Sequence, residues 1–221
     1  MSHAINRIQA IVIYTGATLL LICAILPIVV LDSADIPYSW INSAMWPVLS
    51  ILAFVLAALL PFIMLIIYIH QIEETGKLGL CGLVLTIIGL LLLLGFQFDI
   101  TFVWPTLAST SPELVDFNGP LFQDPRFEFI HGLMDPLHTA GMAIFGISLI
   151  RARVLPRTAS TLLMIGAILS AGILLPPLIL RCIGGLAQTV ALVWIGLKLL
   201  LYSKPATEAT QQAHAADIGS N

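Results

Sequence analysis

The feature that most constrains this chain is the recurrence of long apolar stretches almost free of charge. Between Ile11 and Leu31 there is no Asp, Glu, Lys or Arg, and a helix needs about 20 mostly apolar residues to cross the core of a bilayer. Six stretches qualify, at roughly 10–31, 44–69, 78–98, 136–150, 156–175 and 183–202. Of all residues 59% are hydrophobic and 10% charged, with a mean hydropathy of +1.03; a soluble domain carries roughly 25% charged residues. A water-soluble fold of 221 residues could not hide so much apolar surface, so lipid must be part of its solvent. The expected fold is all-α, a polytopic bundle of six transmembrane helices forming one domain over 1–204.

The first stretch is too long for the apolar region of a signal peptide and no A-x-A pattern follows it; Ile22 before Cys23 is too bulky for a lipobox. It reads as the first span. Orientation follows from Lys and Arg, which collect on the cytoplasmic side. "RARVLPR" carries Arg151, Arg153 and Arg157 with no acid, Lys77 lies between spans two and three, and Arg7, Lys198 and Lys204 flank the two ends. The opposite loops are acidic: Asp32 and Asp35 in one, Asp99, Glu113, Asp116, Asp124 and Glu128 against Arg126 in the other. Both termini are therefore expected in the cytoplasm, with Arg181 the one dissenting charge. Tyr38, Trp40, Trp46, Trp104 and Tyr202 fall at span ends, where aromatic rings with a polar tip collect. Residues 205–221 are polar and lack apolar periodicity, which predicts a disordered cytoplasmic tail that includes a solvated His214.

The extracytoplasmic loop over 99–135 is far longer than a usual connection and is expected to carry structure of its own. Asp124-Pro125 is a helix start, and Phe127, Ile130, His131 and Met134 mark one helical face, which predicts a short amphipathic helix. Asp135-Pro136 repeats the start signal, so the helix is expected to break there and restart as the fourth span.

That corner holds the one constellation with chemical promise. His131, Asp135 and His138 would share a face of an unbroken helix; a bend between two helices could bring them together as two imidazoles and a carboxylate around zinc, with a fourth position open for water. The structural reading, Asp135 as an N-cap, is preferred because Asp-Pro starts are common. Arg181 could pair with Asp135, Asp99 or Glu128, or extend to lipid phosphates. "LLPPLILRCIGG" reads as a tight outer turn. Gln97 and Gln188 read as interhelical hydrogen-bond partners, and His70 as a wet boundary residue near Glu73 and Glu74.

Gly79, Gly82, Thr86 and Gly89 form a small-residue seam, and Gly166 and Ser170 a second one; such residues let helix backbones approach closely in lipid. "IYIHQIEETGKLGLCGLVLTIIGLLLLLG" and "ISLIRARVLPRTASTLLMIGAILSAGILL" share a weak pattern of span end, charged turn and Gly-bearing span, a parallel repeat if real. Cys23, Cys81 and Cys182 lack metal-type spacing and read as buried hydrophobes. No basic block points to nucleic acid, and Walker, G-x-S-x-G, H-E-x-x-H and C-x-x-C-H motifs are absent.

"LIRARVLPRTASTLLMIGAILSAGILLPPLILRCIGGLAQTVALVWIGLKLL", residues 149–200, resembles the carboxyl half of bacterial multi-span integral membrane proteins that carry a domain of unknown function. The resemblance implies a bacterial cytoplasmic membrane and transfers no site residue. Two functions are then expected of such a chain. The first is a non-enzymatic accessory, structural or small transporter-like bundle with lipid as its partner, no cofactor, and room for a homo-oligomer or a membrane-protein partner. The alternative is a membrane-embedded metal-dependent hydrolase using His131, Asp135 and His138 with zinc.

Overall fold

The computed structural model describes residues 3–30, 41, 43–116, 119–170 and 178–202, and every regular element among them is helical. The elements are α1 (His3–Val30), α2 (Trp46–Ile69), α3 (Ile72–Phe98), a π-helical turn (Asp99–Val103), α4 (Trp104–Thr110), a 3₁₀ turn (Pro112–Leu114), α5 (Pro125–Ala152), α6 (Arg157–Ser170) and α7 (Leu178–Tyr202). Five helical stretches are long and apolar enough to cross a membrane: Ala4–Leu26, Trp46–Ile69, Ile72–Thr110, Pro125–Ala152 and Ile179–Leu201. α6 is apolar but spans only 14 described residues.

Packing runs around a closed ring, α1–α2–α3–α5–α6–α7 and back to α1. Neighbours are antiparallel, as paired contacts show. On α1 and α2, Gln9 meets His70 and Gly16 meets Ile63; on α3 and α5, Gly82 meets Phe145 and Gly89 meets His138; on α7 and α1, Gly185 meets Ala24 and Gly196 meets Tyr14. The amino end of α1, the α2–α3 turn, the α5–α6 connection and the carboxyl end of α7 therefore lie at one end, called here the inner end.

Each helix contributes a stripe at helical spacing to a common core: Ala10, Ile13 and Ala17 from α1, Leu60, Ile63 and Ile67 from α2, and Ala191, Leu192, Ile195 and Leu199 from α7. Met142, Phe145 and Leu149 of α5 complete it. The perimeter is apolar as well: Phe62 is 61% exposed and Leu201 62%. A bundle apolar on both its inner and outer faces suits a hydrocarbon solvent.

Three local features depart from sequence expectation. The break at Asp135-Pro136 is absent, and the amphipathic segment and the fourth span are one continuous helix. Proline removes the hydrogen bond to the carbonyl four residues back, here that of Gly132, and its ring crowds that same carbonyl, a cost of about 3 kcal/mol confined to one turn. Gly132 and Pro136 are both exposed, and Gly132 has no side chain to crowd the ring. The helix bonds on either side carry it through. Asp124 does cap the helix, accepting from the Arg126 N–H at 2.8 Å. Second, Trp46 and Trp104 are not set out among headgroups; they are buried in a small outer cluster with Ile41, Ala108 and Val115. Third, Cys81 faces outward, whereas Cys182 is buried and Cys23 half-buried, and all three are free. Tyr38, Trp40, Asp32, Asp35, the Pro176-Pro177 turn, the side chain of Tyr202, Lys204 and the 205–221 tail lie outside the described residues.

Gly76 explains where the third span starts. Its φ of 58° and ψ of −155° fall in a region essentially reserved for glycine, and they separate a short first turn carrying Glu73 and Glu74 from the span proper.

Candidate functional site

The α3–α5 interface divides into a tight inner part and an open outer part, and residue size decides which. At Gly82, Gly89 and Gly141 the two backbones touch: a Cβ on Gly82 would lie 2.8 Å from the Phe145 Cα, and one on Gly89 2.7 Å from the His138 Cα. Thr86 hides its hydroxyl by donating to the Gly82 carbonyl at 2.8 Å, so it acts as one more small residue. Gly79 faces Ser148. The second seam works likewise between α6 and α7: Gly166 and Gly184 lie against each other's helices, and Gln188 donates to the Ser170 hydroxyl at 2.7 Å, which donates to the Gly166 carbonyl at 2.7 Å.

Beyond Gly89 the facing side chains become large and the helices are held apart. A cleft of about 390 Å³ opens there, within the usual range of about 300–1,000 Å³ for ligand pockets. Its walls are Phe96 and Leu92 of α3 and Phe127, Ile130, His131 and Met134 of α5, and Gly95 leaves a gap between them. A Cβ on Gly95 would meet nothing within 4 Å. Leu91, Phe98 and Ile130, on the outer flank, are about half exposed.

The cleft is backed by a closed circuit of rings. His131 stacks on Phe127 at 3.8 Å and meets Phe96 edge-on at 4.5 Å; Phe96 meets Trp104 at 5.8 Å, Trp104 meets Phe122 at 5.7 Å, and Phe122 returns to Phe127 at 5.0 Å. These centroid distances lie in the attractive range for aromatic pairs or just below it. The circuit ties together α3, α4, the following loop and α5.

Two polar groups line this space, His131 and Asp99. The His131 Nδ1 lies 2.8 Å from the Phe127 carbonyl oxygen. A carbonyl can only accept, so Nδ1 carries the proton and, in the neutral ring, Nε2 offers a lone pair. Asp99 opens the π-helical turn, a rare element that recurs at functional sites. Its half-buried carboxylate has no hydrogen bond or ion pair among the described residues. With the His131 ring neutral, the side chains lining the cleft offer acceptors and no donor. Next to it Thr101 donates to the Gln97 carbonyl at 2.7 Å and lies 3.1 Å from that of Ser50, which pins the turn to α2.

The other sequence candidates do not converge on one point. On an unbroken helix His131 and His138 share a face but lie two turns, about 10 Å, apart, too far for one ion bonded at about 2 Å to each. His138 is wedged against Gly89 with Nδ1 unpartnered. Asp135 is half-buried and Glu128 exposed. Among the described residues no three His, Cys, Asp or Glu side chains are grouped as a metal site requires. Arg181 is exposed on α7, whose main neighbours are α1 and α6 rather than the cleft helices. His70 is half-buried at the end of α2, with its ring nitrogen 2.9 Å from the Gln9 amide oxygen. Sequence reasoning missed Phe96 and Phe122, which lie far from His131 along the chain and carry no motif. Comparison with protein-family models, with curated proteins and with solved structures finds no match for the chain.

Proposed function

We propose that this chain is a six-span integral membrane protein of the bacterial cytoplasmic membrane, with both termini cytoplasmic, that works as a non-enzymatic accessory bundle rather than as a conduit. The observation that carries this reading is the buried, largely apolar centre of the ring: Ile63, Met64, Leu90, Met142, Phe145, Leu163 and Leu192 are each at most 2% exposed, and they come from five of the six helices. Conduits need polar groups or loosened backbone along a path. Here the α3–α5 contact at mid-height is backbone against backbone. The sixth crossing is α6, continued by residues beyond Ser170 that are apolar in sequence. The alternative of a zinc hydrolase loses its geometric basis with the continuous α5.

Hydrogen–deuterium exchange of the full chain in lipid nanodiscs tests this. Amides over 82–90 and 138–149 are expected to stay protected for hours. Exchange of both stretches within seconds would mean a hydrated interior, and the accessory reading would be abandoned.

A further inference from the structure

We propose that the outer cleft between α3 and α5 is a lateral docking site for a membrane lipid whose headgroup bears a primary ammonium. The inference rests on the membrane reading above and adds a ligand to it. Three observations converge. The flank of the cleft is built from half-exposed Leu91, Phe98 and Ile130, which would face acyl chains in a bilayer. With the His131 ring neutral, its polar side chains are acceptors, a carboxylate at Asp99 and a lone pair on the His131 Nε2, so a matching head supplies the donors. The surrounding outer segment is acidic, with Glu113, Asp116, Asp124 and Glu128 against Arg126, so the group presented to it is expected to carry positive charge.

A primary ammonium answers the second and third demands, and the acyl chains of the lipid answer the first. Its three N–H donors suit a lining that holds Asp99 and His131, and charge-assisted hydrogen bonds of this kind are the strong ones. A choline head carries the same charge on the same phosphate but has no N–H to give. A glycerol head has hydroxyl donors without the positive charge. Gly95 is integral to the site because the absence of a side chain there is what leaves the gap open.

The test uses the full chain, first incorporated into nanodiscs and then examined in mild detergent by native mass spectrometry. Phosphatidylethanolamine, phosphatidylcholine and phosphatidylglycerol with identical chains are the probes. Phosphatidylethanolamine is expected to bind about tenfold more tightly than either of the others, the equivalent of one net charge-assisted hydrogen bond. Asp99→Asn, which keeps shape and removes charge, is expected to erase that preference. Gly95→Leu is expected to abolish binding of all three while leaving the helix content intact. Equal affinity of the wild type for the three lipids, or an unchanged preference in Asp99→Asn, overturns the assignment. Failure of the wild type to enter nanodiscs would retire the membrane reading itself, and with it this site.

Discussion

Burial at the inner end makes His70 a residue whose charge state bears on stability. Its ring is held against Gln9 of α1, and burial pushes its pKa below the ordinary value near 6.5. Between the depressed value and about 6.5 the unfolded chain binds more protons than the folded one, so stability falls as pH drops through that window. The thermal midpoint in detergent should therefore decline between pH 7 and pH 5, and less so in His70→Gln, which keeps the hydrogen bond to Gln9 without titrating; parallel declines would show that another group governs the effect. His131 shows how a residue's surroundings escape a sequence. Its stacking partner Phe127 lies one turn away and could be anticipated from helical spacing, whereas Phe96 and Phe122 reach it only through the tertiary fold. Asp135-Pro136 was misleading for a related reason. A start signal is a local preference worth about 1 kcal/mol, and hydrogen bonds and packing along a 28-residue helix override it.

At the scale of the helix, glycines divide into those that join helices and those that leave space. Gly82 and Gly95 lie on the same helix and read alike in sequence, yet a Cβ on the first collides with the α5 backbone and one on the second meets nothing. Gly82→Ala should cost about 1–3 kcal/mol, the usual penalty for overpacking. Gly95→Ala should be neutral or stabilising by up to about 1 kcal/mol, because alanine is the better helix former. Unfolding in mixed micelles compares them, and equal effects would mean that the α3–α5 seam is looser than described. The positions of the helices were open to inspection in the sequence because hydropathy is a property of contiguous residues. The identity of the partner helix was not, since Gly166 and Ser170 carry no mark that points to Gly184 and Gln188.

The ring as a whole follows from alternation: each helix returns antiparallel to the one before, and α7 closes on α1. Arg151, Arg153, Arg157 and Lys77 stand exposed at the same end as the Gln9–His70 bond, together with Glu73 and Glu74, while Asp99, Glu113, Asp124 and Glu128 belong to the other end with Arg126 and Arg181, so the bias in charge is a majority at each end. Composition announces the lipid solvent, but only the folded ring places the basic connection of α5 and α6 beside the α2–α3 turn. The direct test of the account is side-specific labelling in intact cells, with Cys81, Cys23 and Cys182 replaced by serine or alanine. A single cysteine at Glu113 should react with a membrane-impermeant maleimide from outside, and one at Arg153 only after the cells are opened. Labelling of both positions from outside would contradict the six crossings proposed above.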